Sequence, residues 1–199
     1  MGFLKVQNWL KIKKSQAYTK LLKKDFGSMG KASLIIPPYH SYDSSEIYVG
    51  CNCSISSGTW LDVVKEYGGV KYNPRIDIGD NTYIGRNAHI IACDHMRIGK
   101  HAVFADGVYI TDNFHGFENI DIPILQSPLV SRGPVVIEDE VWLGERVCVM
   151  PNVTIGKHSV VGSHSVVTKN IPPYSVAVGS PAKIIKRYDV DSKTWIKED

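Results

Sequence analysis

The sequence predicts a mainly β protein, a parallel β-helix built of coils about eighteen residues long. Three observations predict it. First, an aliphatic residue, once replaced by Phe, recurs every six residues. The series is Val49, Ile55, Leu61; Ile78, Ile84, Ile90; Ile98, Phe104, Ile110; then Ile137, Leu143, Val149, Ile155, Val161, Val167. Second, a small or β-branched residue stands four positions after most of these, as at Cys53, Thr82, Ala88 and Val153. Third, Gly often follows the aliphatic directly, as at Gly79, Gly85 and Gly156. A period of six fits the strand period of two and not the helix period of 3.6. Each hexad is therefore a short strand plus a corner, and three hexads close one coil. Stacked coils pair like on like about 4.8 Å apart. Each buried aliphatic contributes roughly 1.5–3 kcal/mol.

In chain order, residues 1–46 read as a helical and irregular segment. Lys5, Lys11, Lys13, Lys14, Lys20, Lys23 and Lys24 precede the first acid, Asp25, and alternate with Phe3, Leu4, Val6, Trp9, Leu10 and Ile12. One or two packing helices with a solvated basic face are expected there. The sharper reading is a peripheral membrane contact with anionic lipid. The β-helix domain is expected over 47–182. Its regular period is broken three times, after Leu61, Ile90 and Ile110, always following the third hexad of a coil. All three insertions should therefore leave the prism at one edge, where function is usually built. The first, 62–75, contains Gly68-Gly69 and reads as a hairpin or loop. The last, 111–134, is long enough to be functional. Residues 170–182 read as a closing turn, and 183–199 as a charged, partly mobile tail.

Composition narrows the class. The chain has 199 residues, 43% of them hydrophobic, and a formal net charge of +3, too small to imply nucleic acid. No apolar run reaches the length of a membrane span. The four Cys, at 51, 53, 93 and 148, lack paired metal spacing and read as reduced thiols, which suggests a cytoplasmic location.

Seven His are present. His101, His158 and His164 fall at corners and read as solvated, and His40 lies in the irregular lead. His89, His95 and His115 share an outward phase. Only His115 also stands at the mouth of the longest insertion. An imidazole suits proton transfer near neutral pH, because its ordinary pKa is about 6.5.

The hexads, with TDNFHG, the long loop and then VVIEDEVWLGERVCVMPNVTIGKHSVVGSHSVVTKNIPPYSVAVGSPAK, resemble the hexapeptide-repeat acyltransferases. The branch they look like holds the galactoside and maltose acetyltransferases and the O-acetyltransferases of surface polysaccharides. The resemblance covers about residues 47–187. It implies a left-handed coil, acetyl-CoA as co-substrate, no metal and a homotrimer with sites between prisms. It also implies a sugar or polysaccharide hydroxyl as acceptor and His115 as the general base. Asp112, Asn113 and Glu118 are the nearby polar groups that could orient that base, and a backbone carbonyl could serve equally. Asn87 lies near the family's substrate-contacting Asn, although a corner Asn satisfying its own turn fits as well. Trp142 matches a Trp beside the family's site, and packing between subunits is its other reading. Ser163, Thr168, Lys169, Lys183 and Lys186 match CoA contacts. The family often has Arg where this chain has Lys183 and Lys186, which leaves charge pairing without a bidentate clamp. Glu145 departs from the small polar residue of the relatives.

Three other readings compete. One is N-acetylation of an amino sugar nucleotide or acetylation of an antibiotic. Another is metal-dependent hydration through His89, His95 and His115, which gives the CoA-end residues no role. The last is a non-enzymatic scaffold.

Overall fold

A computed structural model describes residues 2–198; Met1 and Asp199, at the ends of the two terminal segments, lie outside it. Three sheets form the faces of a triangular prism. Face one holds six strands, from Ser28–Met29 through Ile47–Val49, Arg75–Ile78, His95–Ile98 and Val135–Ile137 to Thr154–Ile155. Face three also holds six, from Tyr39–His40 through Thr59–Val63, His89–Ala92, Tyr109–Thr111 and Cys148–Val149 to Val166–Val167. Face two holds nine strands and begins at Leu34–Ile35.

The register is the one the period dictates. Met29, Val49, Ile78, Ile98, Ile137 and Ile155 form one inward column. Ile35, Ile55, Ile84, Phe104, Leu143, Val161 and Ala177 form the second. Leu61, Ile90, Ile110, Val149 and Val167 form the third. All these side chains are buried in one core, together with the small residues four positions on. Where the small residue is polar its hydroxyl is satisfied, as in Thr82 Oγ1 donating to the Gly99 carbonyl at 2.8 Å. Successive corners approach closely: a Cβ on Gly79 would lie 2.6 Å from the backbone carbon of Gly99.

The repeat extends beyond both expected limits. Ser28–Met29, Leu34–Ile35 and Tyr39–His40 pair with the next coil, so the segment read as irregular up to residue 46 contains a coil of its own. Six residues after Ile35 comes Ser41, which hides the period there. At the far end, Ser175–Val178 continues face two in parallel, and Lys183–Asp189 and Thr194–Lys197 add an antiparallel hairpin. The tail read as partly mobile is thus ordered, with the Trp195 ring edge-on to Tyr188 at 5.5 Å.

The N-terminal segment forms one helix, α1 (Phe3–Leu22), and a short 3-10 turn. Ser15 and Thr19 are its buried residues. The Thr19 hydroxyl accepts from the Ile35 N–H at 2.8 Å, on the edge of face two that no earlier coil covers. Phe3, Leu4, Trp9 and Leu10 remain exposed. Among the described residues no helix is long and apolar enough to cross a membrane.

All three insertions leave between face three and face one. The first carries a two-stranded hairpin, Glu66–Tyr67 with Val70–Lys71. The third opens and closes on another, Asn113–His115 with Leu129–Ser131.

Candidate active site

The insertions lock onto one another. From the first, the Tyr67 and Tyr72 hydroxyls donate to the carbonyls of Leu125 and Leu129 in the third, at 2.6 and 3.0 Å. Gly68 makes this contact possible. Its φ is +58°, and a Cβ there would lie 2.8 Å from the Pro128 nitrogen. From the second, Asp94 accepts from the Ser131 hydroxyl at 2.9 Å. Asp112 lies fully buried at the hairpin base. Its carboxylate accepts from the Cys93 and Asp94 amides, both at 2.9 Å, and from the Asn113 side-chain amide at 2.8 Å. Burial raises the Asp112 pKa against these bonds. The same burial pushes the Cys93 thiol up to about 12, which makes Cys93 an inert packing residue.

A cavity of about 710 Å³ opens between this locked edge and face three. His115 lines it, opposite Leu129 in the hairpin ladder. Its ring is edge-on to Tyr67 at 5.1 Å, and its Nδ1 is buried without a hydrogen-bond partner. Buried polar atoms are nearly always paired, so this orphaned ring nitrogen sets His115 apart from the other described side chains. The expected orienters do not reach it. Asp112 and Asn113 bond to each other, and Glu118 accepts from the Phe117 amide.

The opposite wall comes from face three. Trp60, His89 and Tyr109 are adjacent in register on its outer side. Their rings follow one another at 5.1 and 5.2 Å, and Tyr42 meets Trp60 edge-on at 5.8 Å. His89, placed in an outward phase by the sequence, is half-buried between two aromatic rings, and desolvation lowers its pKa against the raising influence of Asp62. Sequence reasoning missed Trp60 and Tyr109. The signal was present, because each directly precedes the third aliphatic of its coil, as His89 does.

Other expected positions lie elsewhere. Asn87 is an exposed corner residue with φ of 55°, so the turn accounts for it. Trp142 is 53% exposed on face two, between Val103 and Val160. Ser163, Thr168 and Lys169 are exposed at corners, and Lys183 and Lys186 lie on the C-terminal hairpin of face two. None of these seven lines the cavity. Among the described residues no three of His, Cys, Asp and Glu converge as metal ligands. His95 Nδ1 meets Asp94 at 2.9 Å, and His95 does not line the cavity that His89 and His115 share.

Residues 134–169 match the bacterial transferase hexapeptide family, a profile of six repeats. The chain is 41% identical over 129 residues to the Escherichia coli K12 protein WbbJ, named for lipopolysaccharide biosynthesis O-acetyl transfer. That match takes in 61% of this chain and 65% of the relative's length. A maltose O-acetyltransferase from Clostridium difficile superposes with a TM-score of 0.57 at 27% identity, over 87% of this chain and 76% of the other. AntD, an N-acyltransferase from Bacillus cereus in complex with dTDP-4-amino-4,6-dideoxyglucose and coenzyme A, superposes with a TM-score of 0.72. Its identity is 22%, over 88% of this chain and 90% of its own, which is a likeness of fold.

Proposed function

We propose, from this chain's place in the hexapeptide-repeat transferase family, that it moves an acetyl group from acetyl-CoA to a hydroxyl of a sugar or surface glycan. The observation that carries this reading is the unpartnered Nδ1 of His115, buried at the wall of the cavity. The names of the relatives, for lipopolysaccharide and maltose O-acetyl transfer, support a sugar hydroxyl as acceptor.

In this mechanism the imidazole of His115 takes the proton of the acceptor hydroxyl as its oxygen attacks the thioester carbonyl. The C–S bond breaks as the carbonyl re-forms. The sulfur leaves as a thiolate and receives the proton from the imidazolium. The phosphates of CoA call for cations, and Lys169, Lys183 and Lys186 supply them near the C-terminal end of the prism, with Ser163 and Thr168 as polar contacts. Asp112 and Asn113 serve by anchoring the hairpin that carries the base.

The exposed Tyr83, Val103 and Trp142 on face two form an apolar strip suited to a second copy. A homotrimer would bring Trp142 and Asn87 toward a neighbour's cavity. The lysines of α1, with Phe3, Leu4, Trp9 and Leu10 exposed among them, suit a peripheral contact with anionic lipid. The deciding experiment is acceptor profiling with radiolabelled acetyl-CoA. Ester formation on glycosides is expected. Amide formation on amino sugars alone, or no transfer at all, refutes the reading.

A further inference from the structure

The outer side of a prism face has no core to fill, so what stands there reports what the face meets. On face one the outward column reads Ser28, Tyr48, Asp77, Arg97, Val136 and Thr154, a mixture with one aromatic ring. On face three three consecutive coils put Trp60, His89 and Tyr109 at the same outward place, while Leu61, Ile90 and Ile110 behind them fill the core. The rings are tilted from one another by 43° and 33°, which makes a continuous strip along the prism axis. The strip lines the same cavity as His115.

Its charge is as informative as its shape. Lys65 is the one Lys or Arg among the described lining residues, and it is engaged by Asp43 at 3.3 Å and Glu46 at 3.8 Å. Asp62 is buried, and its Oδ1 accepts from the Tyr42 and Asp43 amides at 3.0 and 2.7 Å and from the Ser41 hydroxyl at 3.1 Å. The Trp60 indole N–H points to its other oxygen at 3.4 Å. The cavity therefore offers aromatic surface and carboxylates with no free cation. Among this chain's described lining residues a phosphate or acidic sugar finds no unpaired cation. A neutral pyranose does, with its C–H face on the rings and its hydroxyls toward the polar rim.

Resting on the transferase reading above, we infer that the Trp60–His89–Tyr109 strip is the acceptor platform and that it selects an uncharged pyranose of a glycan over a nucleotide-activated or acidic sugar. The strip holds the ring while His115 faces the hydroxyl that reacts.

Saturation-transfer NMR on the full chain, without acetyl-CoA, tests binding apart from turnover. The probes are maltose, methyl β-galactopyranoside, glucuronate and dTDP-glucose. Saturation of the C–H protons of the two neutral sugars is expected, lost in Trp60→Leu and retained in Trp60→Phe. In transfer assays Trp60→Leu is expected to raise the acceptor KM on the order of tenfold, with a smaller change in the KM for acetyl-CoA. Stronger binding of dTDP-glucose or glucuronate, or neutral-sugar binding unaffected by Trp60→Leu, overturns the inference. So does a wild-type chain that saturates neither neutral sugar. Neutral-sugar binding without any acetyl transfer leaves the platform standing and sinks the transferase reading alone.

Discussion

The Tyr67 hydroxyl donates a 2.6 Å hydrogen bond to the Leu125 carbonyl across a sequence separation of 58 residues. The same ring stands edge-on to His115. One side chain thus touches both the long loop and the imidazole beside it. Tyr67→Phe keeps the ring contact and removes the bond, at a cost of about 0.5–1.5 kcal/mol. Faster amide exchange across residues 116–128 is expected, with His115 still in place; unchanged exchange there would sink the proposed clamp.

His115→Ala removes the proposed base. A loss of roughly 10²–10⁴ in kcat is expected, with the KM for acetyl-CoA little changed. Steady-state kinetics with a glycoside acceptor reads this directly. Full turnover in the variant would exclude the imidazole as base.

His89 gives stability a pH dependence. Its pKa is lowered from the ordinary 6.5 by desolvation, so below that value the unfolded chain takes up a proton that the folded chain refuses. Its stabilising contribution is complete above the unfolded pKa and is lost as pH falls toward the folded one. In thermal melts from pH 7 down to pH 5, His89→Phe should lose less Tm than the wild type. An identical slope in both would show that the strip does not desolvate this imidazole.

Asp112→Ala leaves the amides of Cys93 and Asp94 without their acceptor. Buried N–H groups stranded in this way cost about 1–3 kcal/mol each. Urea unfolding should show that loss, together with reduced acetyl transfer as the hairpin base loosens. A variant as stable as the wild type would remove Asp112 from its anchoring role.

The prism was legible in the sequence because its core is written as a period. The column Ile78, Ile98, Ile137 follows from counting sixes, and so does the common edge of the three insertions. The first coil was not legible, because Ser41 stands where an aliphatic was awaited and the 39–40 strand is short. The C-terminal hairpin escaped because Lys183, Lys186 and Arg187 look like a solvated tail until paired with Val176 and its neighbours. At the site, His115 was singled out from its place at a loop mouth, and it lines the cavity. Its surroundings were not legible, since Tyr67 meets Leu125 and His115, and Asp94 meets Asp112 and Ser131, through docking of separate loops, which local pattern does not encode. The strip on face three was encoded, but as an outward phase, and a count of inward residues passes over it.

Repetitive β architectures carry a hazard of their own: a coil that stacks on its predecessor can equally stack on a stranger. Here the starting edge of face two is occupied by the hydroxyl of Thr19, lodged against the main chain of Ile35. The finishing edge reverses strand direction at Lys183–Asp189. A second molecule therefore meets no open parallel template at either end of that face.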